Sequence, residues 1–504
     1  MTEPGPDSRG AAVSRRGLLK GIGVGTLVMS AGCSSDDDGA PTTETRPEAT
    51  TVTEVTTDPR QQSIITTDAV GPTPIPGTAD TPSNRSSTNG ATVRNWTRRT
   101  SGPCSQSTAE TSSPTGTLPG SSTCSTGTGV RSPTTAASAS MTGSTTTPES
   151  TSTPTTTSTA DAASAPSDPL LTGAYIGGSG SYASNLELFE SWLGHPPALT
   201  MEFVEGLRSR DVVSRFLANR MTPIWEAGSV PVVTWLPSTG TTTETADDIA
   251  REVADGDHDA LIERWATRLR DWTIDDGTQR RFYFRPGHEM NGNWFPWSAD
   301  SSSTTNDYIE MWRRIHTIFT ESGLDETTTQ WMWSPNADEI GGVRAEAYYP
   351  GDDYVDWVGL DGFNFGDSQS YSEWRTPEEI FGSMLERMRE LTAKPVALPE
   401  VASSSFRGDD YTPSAKARWV RRLFSFADDN DVRMVNWFNT EKSGVDESDW
   451  AVFGGERGTD THEIDGESYA TYNAYRATVN SPSVIRGDAD TAARLTDREF
   501  SGDL

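Results

Sequence analysis

A (β/α)8 TIM barrel is the fold class this chain predicts, and three observations predict it. Beyond Asp168, short β-branched and aromatic runs alternate with stretches whose apolar residues recur at helical spacing. The alternation occurs eight times in about 310 residues, which argues for a closed barrel over an open doubly wound sheet. No GxGxxG follows a strand and no Walker loop occurs, so nothing supports binding of a dinucleotide or a nucleoside triphosphate.

The expected strands are Thr172–Ile176, Ala198–Val204, Val230–Leu236, Arg281–Arg285, Thr329–Ser334, Val355–Asp361, Pro395–Glu400 and Arg433–Phe438. Between them lie helical faces: Leu186, Phe189 and Trp192; Val213, Phe216 and Leu217; Leu261, Trp265 and Leu269; Ile309, Trp312 and Ile315; Phe381, Met384 and Met388; Val420, Leu423 and Phe424. The domain is expected over residues 168–480, followed by a C-terminal tail, 481–504.

The chain ahead of the barrel reads differently. Residues 1–33 carry Arg15-Arg16 before a short apolar stretch and end in Ser30-Ala31-Gly32-Cys33. This order resembles a twin-arginine (Tat) export signal closed by a lipoprotein box, with Cys33 as the lipid attachment point. The apolar stretch is shorter than the ~20 residues a spanning helix needs. Residues 34–167 form a low-complexity Thr/Ser/Pro-rich linker; Ser132 to Ala160 hold 19 Ser or Thr in 29 residues, so no core can form there. A disordered stalk open to O-glycosylation fits that composition. Sequons begin at Asn84 and Asn95, and Cys104 and Cys124 could pair outside the cell. The expected location is extracellular, at the cell surface, with the membrane touched only through the lipid.

Charge excludes other partners. The chain has 72 Asp plus Glu against 41 Lys plus Arg, a net −31, which repels phosphate backbones and so excludes nucleic acid. Beyond Ser167 the balance is 58 acidic to 30 basic residues, so the acidity belongs to the folded domain. Lysine occurs only at 20, 394, 416 and 442. A surface rich in carboxylates and poor in lysine resembles halophilic proteins, because self-repulsion on this scale needs screening.

In a barrel of this kind the chemistry sits at the C-terminal ends of the strands. Strand four ends in Arg285-Pro286-Gly287-His288-Glu289, and strand seven in Val396-Ala397-Leu398-Pro399-Glu400. Each delivers one glutamate to the rim, and a carboxylate pair about 5–5.5 Å apart is the equipment of a retaining glycosidase. A lone glutamate among 72 acidic residues is more often a solvated surface group. The aromatic residues nearby change that balance. Trp294, Trp297, Trp333 and Trp437 fall at or just after strand ends, where rings can stack on sugar faces. Metal chemistry lacks ligands: His288-Glu289 begins like HExxH, but Gly292 stands where the second histidine belongs. No cofactor is expected, and no G-x-S-x-G elbow occurs.

Gly287-His288-Glu289-Met290-Asn291-Gly292-Asn293-Trp294-Phe295-Pro296-Trp297, together with Tyr348-Tyr349-Pro350-Gly351-Asp352-Asp353-Tyr354-Val355-Asp356-Trp357-Val358-Gly359-Leu360-Asp361-Gly362, resembles glycoside hydrolase family 26, best known for endo-β-1,4-mannanases. The similarity runs from about Gly173 to about Arg457. The resemblance implies Glu289 as acid/base and Glu400 as nucleophile. It also implies that His288 bonds to the sugar near the 2-hydroxyl and that Trp294 and Trp437 line the sugar site; Trp297 and Phe363 are assigned to substrate as well. Two departures stand out. Family members commonly carry a tyrosine, bonded to the nucleophile, in the segment where this chain has Phe363. Glu400 is followed by Val401-Ala402 instead of an aromatic residue and glycine.

The expected function is a monomeric, retaining endo-β-glycanase acting on β-mannan. The alternatives are a mixed-linkage β-glucanase or xylanase of the same family, or a non-catalytic polysaccharide-binding surface protein.

Overall fold

The computed structural model describes residues 166–504, except 178–180, 242, 299–300, 341 and 444–446. The expected export signal, Cys33, the expected stalk, both sequons, Cys104 and Cys124 lie outside the described residues.

Eight parallel strands close on themselves: β1 (Leu170–Tyr175), β2 (Leu199–Glu205), β3 (Val230–Leu236), β4 (Phe282–Pro286), β5 (Thr329–Trp333), β6 (Trp357–Gly359), β7 (Val396–Ser403) and β8 (Val432–Phe438). The ring is completed where β8 pairs with β7 and with β1, from Leu171↔Met434 to Tyr175↔Phe438. Every residue of β1, β3 and β7 is buried, as expected for parallel strands covered by helices outside and side chains inside. The (β/α)8 barrel expected from the alternation is therefore present, and each strand starts within two residues of its expected position.

The helices form where local signals agree. Thr305–Glu321 and Pro377–Leu391 begin in capping boxes, Thr304 with Asp307 and Thr376 with Glu379, and Pro377 occupies a position that needs no N–H. Their inner faces bury Tyr308, Met311, Trp312, Ile315 and Phe319 in one, and Ile380, Phe381, Met384, Leu385 and Met388 in the other. Trp192, Trp265 and Trp312 are almost wholly buried. Rings of this size bury about 150–250 Å² each and dominate the packing between barrel and helices.

Three regions differ from the sequence expectation. The sixth strand, expected as Val355–Asp361, stops at Gly359, and the chain re-enters the sheet at Gly362–Asn364 against the upper half of β7. The interruption turns the Asp361 carboxylate inward, to a buried guanidinium described below. Residues 481–504, expected as a tail, belong to the fold. Val484–Ile485 extends the sheet beside β1, and the helix Asp497–Ser501 covers the N-terminal end of the barrel. There the Phe500 ring packs on Tyr283 at 4.9 Å, and its carbonyl accepts from the Tyr283 hydroxyl and the Trp357 indole. A three-stranded antiparallel sheet, Phe453–Gly455, Asp460–Ile464 and Glu467–Thr471, follows β8 and was not anticipated.

Candidate active site

The turn after β4 is built to present a carboxyl group. Gly287 and Glu289 both have positive φ, 57° and 52°, a conformation that costs a non-glycine residue energy and is held by its surroundings. The Gly287 N–H donates to the Trp235 carbonyl of β3, and the Glu289 N–H to the Ser334 carbonyl beyond β5. The Tyr308 hydroxyl donates to the Gly287 carbonyl at 2.9 Å and the Trp297 indole to that of His288 at 2.8 Å. With its backbone pinned on both sides, Glu289 has a fixed direction.

The Glu289 carboxyl meets neutral donors. The Asn336 amide donates to Oε1 at 2.6 Å and the Trp294 indole to Oε2 at 2.7 Å. Asn336 is itself oriented by Asn291, whose amide donates to the Asn336 carbonyl while its Oδ1 accepts the Asn336 N–H, both at 2.8 Å. Burial and, second, the negative charge of Glu400 push the Glu289 carboxyl up to about 7; the two hydrogen bonds and Arg285 pull the other way.

The Glu400 carboxylate, 1% exposed on β7, meets a cation. Arg285, buried on β4, donates one terminal nitrogen to Glu400 Oε1 and the other to both oxygens of Asp361, at 2.9 and 2.7 Å. Thr234 and Ser334 accept its remaining N–H groups. Burial raises the Glu400 carboxyl above its ordinary range, and the charge and hydrogen bond of Arg285 oppose that rise. The two glutamates thus differ by partner: one held by an amide and an indole, the other by a guanidinium.

Other expected residues divide. His288 is fully buried, its Nε2 lies 3.7 Å from Glu400 Oε1, and burial followed by the Arg285 charge lowers its pKa well below normal, so the ring is neutral near pH 7. Trp294 faces the site through its bond to Glu289. Phe363 packs near Phe438 at 5.7 Å and Trp450 at 5.4 Å. Trp297 is fully buried and stacked on Phe295 at 4.4 Å, a prop beneath the turn and not an open sugar platform. Trp437, expected to line the sugar site, is fully buried against Trp419 and Tyr475 on the helix side of the barrel. Strand alternation explains this: Phe438 takes the mouth position, stacked on Tyr175 at 5.0 Å and edge-on to Phe203 at 6.2 Å. Trp333 is likewise buried, against Tyr349.

Sequence reasoning missed Arg285, Asp361, Asn336 and Asn291. The amides of Asn364 and Asn439, near Phe363 and Phe438 in the chain, are engaged by Ser403 and Gly366 and by Val452 and Phe453. Arg285 supplies the donor to Glu400. Its signal was a charged residue closing an apolar run within a strand, Phe282-Tyr283-Phe284-Arg285, where a barrel strand faces its own interior. No group of three or more His, Cys, Asp or Glu that could hold a metal ion is found among the described residues.

Comparison with known proteins adds relatives. The chain is 29% identical over 294 residues to endoglucanase H of Acetivibrio thermocellus, covering 54% of this chain and 29% of that protein. It is 30% identical over 150 residues to mannan endo-1,4-beta-mannosidase A and B of Caldalkalibacillus mannanilyticus, covering 29% of this chain and 27% of that one. A mannan endo-1,4-beta-mannosidase of Bacillus subtilis is 30% identical over 156 residues, 29% of this chain and 38% of its own length. The chain thus spans well under half the length of these curated relatives. Among solved structures, the β-mannanase BoMan26A of Bacteroides ovatus aligns at 18% identity and a TM-score of 0.45, covering 66% of this chain and 94% of that one. Residues 230–438, from β3 to β8 and with both glutamates inside them, match the model of glycosyl hydrolase family 26, and this match with the mannanase relatives supports that family for the barrel.

Proposed function

We propose that this chain is a retaining endo-β-glycanase that hydrolyses β-1,4-mannan by double displacement. The observation that carries the reading is the contrast between the two rim carboxyls. A group held near 7 by burial can keep a proton at neutral pH and deliver it, and an arginine-paired carboxylate can stay ionised and attack. In the first step Glu289 protonates the glycosidic oxygen as it leaves, and a Glu400 oxygen bonds to the anomeric carbon. In the second, Glu289, now ionised, takes a proton from water, the water oxygen displaces Glu400, and the starting state returns.

Export and surface attachment belong to the same reading, supported by the order of Arg15-Arg16, the apolar stretch and Cys33. Salt adaptation is supported by lysine placement: Lys416 and Lys442 are buried and Lys394 is half-buried. The domain therefore presents no fully exposed ammonium to offset its carboxylates. A second substrate is favoured by one observation, that the relative matched over the greatest length is named an endoglucanase. Reducing-sugar release from galactomannan, barley β-glucan and xylan, measured side by side in molar KCl, tests the substrate. Release from mannan first supports the reading; release from barley glucan alone transfers it to β-glucan; binding without release from any polymer overturns it.

A further inference from the structure

At the barrel mouth, against the Phe438 ring, lies a second buried charge pair that the proposed mechanism does not use. Lys442 Nζ is 3.0 Å from Glu447 Oε1, in the loop after β8. Among ion pairs of lysine and arginine between the described residues, only this one and those of Arg285 have both side chains below 10% exposed, here 6% and 8%. Burying two charges is costly and rarely a net gain in stability, so a pair buried at the mouth asks for another role.

The pair is held in place from several directions. The Trp450 indole donates to Glu447 Oε2 at 2.9 Å, and the Trp450 ring packs on Phe363. The Glu447 carbonyl accepts from the Gln369 amide at 2.8 Å, and the Lys442 N–H donates to the Ser448 carbonyl at 3.1 Å. Lys442 Nζ lies 5.3 Å from the centre of the Phe438 ring, the aromatic wall of the mouth. These contacts fix an ammonium and a carboxylate against the Phe438, Phe363 and Trp450 wall of the mouth.

Resting on the proposed glycanase reading, we infer that Lys442 and Glu447 are positioning residues for the nucleophile, a balanced charge pair that sets the lower pH edge of activity. The two members act on Glu400 with opposite sign: the Lys442 charge favours its ionised form and the Glu447 charge opposes it. The other groups facing Glu400 are Arg285, His288 and Glu289 from β4 and its turn, Asp361 from the break after β6, and the Tyr175 hydroxyl of β1. Arg285 supplies the larger opposing charge; the pair trims what remains.

The test is the acidic limb of kcat/KM against pH, which reports the free enzyme's nucleophile, on the soluble polysaccharide that the wild-type chain hydrolyses. Lys442→Met should move that limb up by about half a unit or more, because Glu447 is left uncompensated; Glu447→Gln should move it down. Lys442→Arg should restore the wild-type limb, and the Lys442→Met/Glu447→Gln double variant should fall between the single ones. A merely structural pair would change melting temperature and amplitude while leaving the limb in place, and that outcome, or shifts of the same sign, overturns the inference. If Lys442→Met fails to fold, Glu447→Gln decides alone: a lower limb supports the pair, an unmoved or higher one overturns it. Wild-type activity that disappears in Glu400→Ala keeps the glycanase reading intact whichever way the pair falls.

Discussion

Glu289 and Glu400 are the same residue at the same rim of one barrel, yet the chain surrounds them differently. Glu289 sits on a strained turn and accepts hydrogen bonds from Asn336 and Trp294, groups with no net charge. Glu400 sits in mid-sheet register on an eight-residue strand and is paired with Arg285, which Asp361 holds from the other side. Neutral donors soften the cost of burying a carboxylate without cancelling it, so the proton stays near neutral pH; a guanidinium in a low-dielectric interior goes much further. The different surroundings of two identical side chains are therefore set by what β4, β5 and β6 bring to them.

The contrast can be broken outright. Glu400→Ala should reduce turnover on polysaccharide below detection, with azide able to occupy the vacated space, whereas Glu289→Ala should lose about 100- to 10,000-fold on polymer and much less on aryl glycosides with good leaving groups. Steady-state rates on both substrate types check the pair; equal losses on both substrates in Glu289→Ala would remove its acid role.

Arg285→Met attacks the charged half. It leaves Glu400 and Asp361 buried without their cation, for which a destabilisation of about 3–5 kcal/mol is expected, read as a lower urea midpoint at unchanged slope. In whatever fraction folds, the acidic limb should rise, since the charge that favoured ionised Glu400 is gone.

The neutral half is tested more gently. Asn336→Ala and Trp294→Phe each remove a hydrogen bond that lowers the Glu289 pKa, so the basic limb should move to higher pH by up to about one unit. The sign follows from the proposed role: an acid must be protonated to act, and a higher pKa keeps Glu289 protonated further into alkali. A basic limb that moves down would show that these donors are not acting on Glu289.

Phe363→Tyr should have the smallest effect. The absent tyrosine hydroxyl suggested a nucleophile short of a donor, but Arg285 already bonds to Glu400, and Phe363 packs among Phe438 and Trp450. Turnover and both limbs are expected to stay near wild type; a large gain at low pH would mean that Arg285 does not satisfy Glu400.

These environments also mark where the sequence was legible. Strands and helices could be read because buried parallel strands are short apolar runs and the helices keep a 3.6-residue apolar face. Both glutamates could be placed because a strand end in a barrel has a known location. Trp437 could not: both faces of β8 are buried, so apolar alternation does not distinguish the mouth from the helix side, and only the pairing with β1 assigns Phe438 to the mouth. Arg285, Asp361 and Asn336 come from three different strand regions and meet only when the sheet closes. The final helix did leave a trace, the Thr496-x-x-Glu499 capping box ahead of Phe500, which the acidic composition around it concealed.

The most direct measurement is covalent trapping. The chain is incubated with a slow 2-fluoro glycoside of the sugar it hydrolyses, digested, and the modified peptide sequenced by mass spectrometry. If Glu400 is the nucleophile, the sugar is found esterified to Glu400, and product released by the wild type keeps the β configuration. A sugar on Glu289 or Asp361, or release of α product with no adduct, would contradict the assignment of an arginine-paired nucleophile beside a neutral-held acid.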